Sequence, residues 1–201
     1  MSVRRLAPPE IQPREFSFSK DNLAWAKLQF VKYPEGRQAS AIIPLLWRAQ
    51  EQTGGWLPEA AIRYVADFLG MAHIRALEVA TFYTMFNLAP VGKFHVQLCG
   101  TTPCRLRGAD DIEKVCRARI GEQSAVTKDG KFSWVEVECL GACVNAPMVQ
   151  INADYYEDLT ATSFERILDQ LAAGKKAKPG PQIDRQLSAT VGGPTTLKEK
   201  A

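Results

Sequence analysis

Side chains that commonly carry out catalysis are scarce in this sequence. Its 201 residues include only two histidines, His73 and His95, and neither has the partner pattern of a nucleophile and its base. We expect both to be surface residues, with His95 on the polar face of a strand. There is no P-loop and no glycine-rich dinucleotide fingerprint, and the Gly54-Gly55 pair is a helix stop. The sequence therefore predicts no catalytic residue and no NADH site of its own.

Long hydrophobic runs are also lacking. The two longest apolar stretches, 38–47 and 79–91, are shorter than the roughly 20 residues that a membrane-spanning helix needs. Arg4 and Arg5 are followed by Pro8 and Pro9 and by no apolar segment, which is unlike a secretory signal. We therefore expect no membrane span and a reducing compartment.

Positive and negative charges nearly cancel over most of the chain. The net charge is +3, but residues 175–201 hold six lysines and arginines against two acidic residues. The body is thus close to neutral and only this end is basic. A neutral body argues against a dedicated nucleic-acid surface, which requires a basic patch on the fold itself.

Hydrophobic residues make up 46% of the chain, enough for a sizeable core. Residues 1–18, with three prolines, are predicted to form an extended arm. Residues 19–88 contain four short apolar stripes of helical period between glycine and proline turns, which predicts a helical bundle domain. The predicted helices are one capped by Ser19, one over about 39–52, one with Pro58 as its first residue, and one over about 74–83.

Residues 89–174 have a different period, which predicts an α/β domain. With the helical bundle before it, the whole chain is predicted to be of the α+β or α/β class. A strand of alternating apolar residues ends at Cys99, and a second strand over 132–138 ends at Cys139. The other predicted elements are a helix over about 109–120, strands at 148–151 and 155–156, and a helix capped by Ser163 that ends at Gly174. Residues 175–201 are predicted to be an extended, basic tail without a core of its own.

Four of the five cysteines form two close pairs at the predicted strand ends. Cys99 and Cys104 are separated by four residues, and Cys139 and Cys143 by three. Two such loops side by side can present four thiolates to one metal centre. Two disulfides or four buried thiols are the alternatives, and a reducing compartment counts against disulfides.

The kind of metal is less constrained by the spacing. Four thiolates suit structural zinc or an iron–sulfur cluster. Zinc knuckles usually have two residues between the cysteines, so the wider loops favour a binuclear iron–sulfur cluster over zinc. The fifth cysteine, Cys116, shares a helix face with Ile112, Val115 and Ile120 and is predicted to be a core residue.

The cysteine loops stand among motifs distinctive enough to compare with a known family. They are Cys99-Gly-Thr-Thr-Pro-Cys104, Glu138-Cys-Leu-Gly-Ala-Cys143-Val-Asn-Ala-Pro147, Asp154-Tyr-Tyr-Glu-Asp158, Gly54-Gly-Trp56 with Leu57-Pro58, Glu78-Val-Ala-Thr-Phe-Tyr-Thr-Met-Phe86, Lys178-Pro-Gly-Pro-Gln182 and Gly192-Gly-Pro-Thr-Thr-Leu197. Over nearly the whole chain, most weakly in the first 15 residues, they resemble the E subunit family of NADH:quinone oxidoreductase, the respiratory complex I.

This resemblance implies a helical bundle followed by a thioredoxin-like [2Fe–2S] ferredoxin domain. By motif match, Cys99, Cys104, Cys139 and Cys143 are the ligands of one cluster. The implied role is an electron-transfer subunit, outside the catalytic core, that exchanges single electrons with a flavin. FMN and NADH are then on a partner subunit, further peripheral-arm subunits are neighbours, and the location is the inner face of the energy-transducing membrane (the bacterial cytoplasmic side, or the matrix side in mitochondria).

Several alternatives and finer expectations stay open at this point. Related subunits occur in NAD-linked hydrogenases and formate dehydrogenases, and a structural zinc docking module or a free-standing ferredoxin would use the same thiols. Arg105 and Arg107 are expected to tune the cluster or else to be solvated surface residues. The aromatic residues between Phe82 and Phe86 are expected at an interface. Deleting residues 175–201 is expected to leave the cluster loops untouched.

Overall fold

The computed structural model describes residues 4–186, 192–193 and 196. The chain divides into two compact units. The first holds the residues up to His95 together with Glu122–Trp134, and the second holds Val96–Gly121 together with the residues from Val135 onwards. Three of the six residues of the motif at 192–197, and all other residues beyond 186, fall outside the described part of the chain.

Four α-helices lie in the first unit, at the four places that the sequence predicts. Ser19 caps the first, its Oγ accepting a hydrogen bond from Asn22 N at 3.3 Å. The second predicted helix opens with a separate 3-10 turn, Gln38–Ala41, and Pro58 is the capping residue of the third rather than its first residue. The helices are α1 Lys20–Phe30, α2 Ile42–Gln52, α3 Glu59–Phe68 and α4 His73–Phe82.

The first unit has its own hydrophobic core. Helix α3 packs against both α2 and α4, because its buried stripe recurs at helical spacing. Aromatic rings extend this core: Tyr64 meets Phe16 and Phe18 edge-on and stacks with Phe68. Among the aromatic residues expected at an interface, Phe86 is instead fully buried in this core, whereas Phe82 is 76% exposed.

A five-stranded sheet and three further α-helices follow within the described residues. The strands are β1 Phe94–Cys99, β2 Phe132–Val137, β3 Val149–Ile151, β4 Asp154–Glu157 and β5 Gly180–Pro181, and the helices are α5 Thr102–Leu106, α6 Ala109–Arg119 and α7 Ala161–Ala172. The sheet order is β2-β1-β3-β4-β5. This combination of helices and a mixed sheet confirms the predicted α+β class.

The register of the sheet fixes where the two cysteine loops begin. Strand β3 pairs antiparallel with β1, aligning Leu98 with Val149, and antiparallel with β4. On the other side of β1, Gly100 N donates to Val137 O at 3.2 Å. The first residues beyond β1 and β2 are thereby held side by side at one end of the sheet.

Two further predictions about single residues are wrong. His95 is 8% exposed, and its Nδ1 lies 2.8 Å from Ser133 Oγ. Strand β1 is covered on both faces, so an alternating polar residue there does not face water. The cap of α7 is Thr160, whose side chain accepts from Ser163 N at 3.1 Å, with Ser163 as its reciprocal partner.

The basic tail is partly built into the fold. Ala177 is buried, and β5 pairs parallel with β4, aligning Tyr156 with Gly180. Arg185 donates to the backbone carbonyl of Val144, the residue after Cys143. The expectation that residues 175–201 can be removed without touching the cluster loops is therefore wrong for the described part of that segment. Across the described residues, we find no helix long and apolar enough to cross a membrane.

Candidate metal centre

Two loops bring four thiols to one end of the sheet. Cys99 is the last residue of β1, and Cys104 lies in α5, one turn further along. Cys139 follows the end of β2 by two residues, so it stands on the loop rather than at the strand end that the sequence predicts. Cys143 opens a 3-10 turn, Cys143–Asn145.

The sulfur atoms meet in two pairs. Cys139 Sγ lies 3.3 Å from Cys143 Sγ, and the thiols of Cys99 and Cys104 are close enough that each shifts the pKa of the other. The pairs are neighbours as well, because Cys143 interacts electrostatically with both Cys99 and Cys104. Within the described residues, no three His, Cys, Asp or Glu side chains are arranged to hold a single metal ion. The structure thus brings the four predicted cysteines together as two adjacent pairs.

Burial differs sharply between the two pairs. Cys99 and Cys104 are each 1% exposed, whereas Cys139 and Cys143 are exposed. The difference follows from position, because the first pair lies at the end of a covered strand and the second on a loop. One side of the centre therefore faces the protein and the other faces solvent.

The protonation of the thiols follows from these surroundings. Burial, and next the adjacent Cys99 sulfur, raise the pKa of Cys104 to about 12. Burial would also raise the pKa of Cys99, but hydrogen bonds from Thr101, Cys104 and the Leu140 backbone outweigh it and lower that pKa below its ordinary value. The hydrogen bond with Cys139 raises the pKa of Cys143. Without metal, Cys99 is thus the thiol of its pair that ionises first.

Gly100, directly after Cys99, leaves room for a neighbouring carboxylate. A Cβ at Gly100 would overlap the carboxylate of Glu136. Arg105 holds that carboxylate in place through Nη2, at 3.1 and 3.0 Å from its two oxygens, and also donates from Nε to Gly100 O at 3.2 Å. The first cysteine loop is therefore tied to β2 through one guanidinium group.

Arg105 is the centre of a larger charge cluster. Its Nη1 donates to Glu113 Oε2 at 3.1 Å and also to Asp110. These carboxylates, Asp110 first and Glu136 next, raise the pKa of Arg105 above its ordinary value, so it stays charged. Arg107 is exposed. Of the two arginines predicted to tune the site, Arg105 is engaged by three carboxylates that the sequence pattern does not reveal.

The second cysteine loop is supported by backbone and tyrosine contacts. Gly141 N points at Cys139 Sγ from 3.4 Å, and Tyr155 Oη donates to Leu140 O at 2.9 Å. Tyr155 belongs to the motif at 154–158, which the sequence alone does not connect to the cysteines. Amide groups directed at sulfur favour thiolate and cluster sulfur, because both are hydrogen-bond acceptors.

Cys116 is separate from this group. It is fully buried on α6 with Ile112 and Val115, and burial raises the pKa of Cys116 to about 12. The prediction that Cys116 is a core residue is confirmed.

The residues present fit an iron–sulfur cluster. Two thiol pairs match the two thiolates that each iron of a binuclear cluster takes, and the buried pair supplies a protected side. An amide donor lies beside the sulfur of Cys139 on the exposed side. Cys99, Cys104, Cys139 and Cys143 are the residues that could hold the group.

Known proteins provide an independent comparison. The sequence model of the thioredoxin-like [2Fe–2S] ferredoxin family matches residues 26–172. The NADH-quinone oxidoreductase E subunit numbered 1 of Rhizobium meliloti (strain 1021) is 60% identical over 202 residues, covering 98% of this chain and 73% of the relative. The NADH-quinone oxidoreductase E subunit of Rickettsia bellii (strain RML369-C) is 62% identical over 157 residues, covering 78% of this chain and 94% of the relative.

Among solved structures, the chain resembles part of a much longer protein. A chain in the crystal structure of an NAD+-reducing [NiFe]-hydrogenase in the air-oxidized state superposes with a TM-score of 0.55 at 19% identity, covering 65% of this chain and 23% of that chain. At this identity the likeness concerns the fold alone. The matching family, the two relatives and the paired cysteines agree: this chain belongs to the E subunit family of NADH-quinone oxidoreductases, with a thioredoxin-like [2Fe–2S] ferredoxin domain.

Proposed function

We propose that this chain is the electron-transfer subunit of an NADH:quinone oxidoreductase and carries one [2Fe–2S] cluster on Cys99, Cys104, Cys139 and Cys143. The observation that supports this most strongly is the meeting of four thiols in two interacting pairs. Such a cluster, when bound, accepts and returns one electron at a time. The chain's own residues hold the thiols, shield one pair and direct an amide group at the exposed pair.

The exposed side of the centre is the proposed route for electrons. Cys139 and Cys143 are exposed, and two large apolar side chains stand close in sequence to ligands, Leu106 at 82% and Val144 at 75% exposure. Exposed apolar side chains of this kind favour contact with another protein. We propose that this side faces a partner subunit that binds FMN and NADH, because this chain has no nucleotide fingerprint.

The remaining parts of the chain have a proposed role in assembly. The helical bundle of residues 19–88 would contact the flavin-binding partner and further peripheral-arm subunits, with Phe82 exposed at the end of α4. The basic segment of residues 175–201 would add to this docking surface. We place the chain in the reducing compartment, on the inner face of the energy-transducing membrane, as a subunit outside the catalytic core and without nucleic acid.

Serine replacement at each cysteine tests the ligand set. In reconstituted full-length protein, Cys99→Ser, Cys104→Ser, Cys139→Ser and Cys143→Ser should each abolish or strongly alter the visible absorption of the cluster. Cys116→Ser is the matched control, because it changes the same atom outside the site and should leave the spectrum unchanged. A spectrum unaffected by Cys139→Ser, or lost in a folded Cys116→Ser variant, would contradict the assignment.

The partner is tested separately by co-purification with the flavin- and NADH-binding subunit. Deleting residues 187–201 removes Lys198 and Lys200 at the end of the basic tail but leaves β5 in place, and it should weaken the complex while keeping the cluster. NADH oxidation by the isolated chain would instead overturn its role as a subunit without an NADH site.

A further inference from the structure

The segment after α7 returns to the cluster end of its unit. Residues 177–186, here called the strap, begin with buried Ala177 and continue through β5, which pairs with β4. Gln182 N then donates to Glu157 O at 3.0 Å. The strap is thus fixed along the edge of β4 before its last residues.

Arg185 is the residue through which the strap reaches the second cysteine loop. Its Nη1 donates to Val144 O at 3.2 Å, and Val144 directly follows Cys143. Its Nε lies 3.5 Å from Asp158 Oδ2. Both of these atoms are shielded from solvent and lack a well-aligned hydrogen bond, so each depends on the other for charge compensation.

Asp158 is itself attached to the same loop. Its backbone N donates to Asn145 O at 2.7 Å, and the next residue, Leu159, donates from its backbone N to Pro147 O at 3.0 Å. The Asp158 side chain is only 5% exposed. Together with the Arg185 contact, three backbone carbonyls of the loop, at residues 144, 145 and 147, are held by groups outside it.

We propose that Arg185, oriented by Asp158, is a positioning residue for the exposed ligand Cys143. This inference rests on the proposed function, because it assumes that Cys143 ligates the cluster. Cys143 has little burial of its own to hold it, so the order of its sulfur depends on the backbone that follows it. The guanidinium fixes that backbone at the Val144 carbonyl and compensates the shielded Asp158 carboxylate.

The charge arrangement predicts how strongly each variant loosens the loop around Cys143. Arg185→Gln removes the guanidinium charge and leaves a shielded carboxylate uncompensated, and breaking a buried pair by removing one partner is the costly change. Arg185→Lys keeps the charge but not the two-pronged geometry, so it should be intermediate. The double variant Arg185→Gln/Asp158→Asn removes both charges and should recover part of the loss.

The test measures iron release from reconstituted full-length protein to a ferrous chelator, together with the electron paramagnetic resonance line shape of the reduced protein. Arg185→Gln should release iron on the order of tenfold faster than wild type, as expected for losing one charged hydrogen bond, and its line shape should change. Lys178→Gln is the matched control, since Lys178 is an exposed cation of the same strap, and it should behave as wild type.

The outcomes separate this inference from the proposed function. Wild-type release rates and line shape in Arg185→Gln would overturn the positioning role while leaving the cluster assignment intact. Absence of any cluster signal in the wild-type protein would instead overturn the proposed function. Should Arg185→Gln fail to fold, Arg185→Lys and Asp158→Asn provide the same comparison, and wild-type behaviour in both would equally overturn the role.

Discussion

Replacing Arg105 with glutamine should loosen the first cysteine loop. Its guanidinium group connects Gly100 O, directly after Cys99, to Glu136 on β2 and to Glu113 on α6. Glutamine keeps a polar side chain but cannot bridge all three groups. It also leaves the carboxylates close together without a cation, and like charges at short range repel.

The size of the effect follows from exposure. The Arg105 and Glu136 side chains are each 36% exposed and that of Glu113 is 20% exposed. Surface ion pairs contribute about 0.2–1 kcal/mol, and shielded hydrogen bonds to charged groups about 1.5–3 kcal/mol. For this partly exposed cluster we expect a loss of about 2 kcal/mol in the free energy of unfolding. With an m-value of about 2 kcal/mol/M, the urea midpoint should fall by about 1 M.

The assay is urea unfolding of the full-length, metal-free chain, followed by circular dichroism. Arg107→Gln is the control: it removes the same charge two residues away, from an exposed position, and should cost less than about 0.5 kcal/mol. In the metal-loaded protein, Arg105→Gln should also lower the reduction potential, because a nearby cation favours the more negative reduced state. Equal midpoints for the two variants would refute the bridging role of Arg105.

Three further predictions concern residues away from the ligands. Gly92→Ala should destabilise the fold by about 3 kcal/mol or more, because the alanine Cβ would overlap the Phe132 backbone and lie only 2.6 Å from Ser133 N. A urea unfolding midpoint equal to that of the wild type would contradict this. Burial lowers the pKa of His95 from 6.5 to about 4, so only the unfolded chain takes up this proton between those values. The His95 contribution to stability is complete above pH 6.5 and should fall by up to about 3 kcal/mol towards pH 4; a His95→Asn variant with an equally steep pH dependence of unfolding would exclude it. Cys116, whose pKa burial raises to about 12, should resist alkylation at pH 8 until the chain unfolds, as measured by mass spectrometry of the labelled peptide; rapid labelling of the folded chain would contradict its burial.

Patterns local in sequence predict much of the fold. The apolar residues at helical spacing in α3 and α6, with the turn residues between helices, are sufficient to predict these helices. This is because the apolar face of a helix repeats within a few residues. The single-turn helix α5 escapes such patterns because five residues are too few for a period. His95 is misassigned from the sequence because the alternation in β1 suggests one wet face, whereas the observed burial pattern covers both.

The candidate site is predictable to a similar degree. The paired spacing near two strand ends is enough to predict that the four cysteines lie together, namely Cys99, Cys104, Cys139 and Cys143. The supporting contacts are not predictable, because they join residues far apart in sequence: Arg105 with Glu136, 31 residues on, and Arg185 with Val144, 41 residues back. Such pairs leave no periodic or spacing signal, and they emerge only when the sheet order and the course of the strap are known.

The most direct test of the central claim is electron paramagnetic resonance of the dithionite-reduced full-length protein, integrated against protein concentration. A [2Fe–2S] cluster held by the two thiol pairs has one unpaired electron when reduced. We therefore expect a signal of about one spin per chain, from a protein that is coloured when oxidised. A colourless protein that contains zinc and gives no such signal would contradict it.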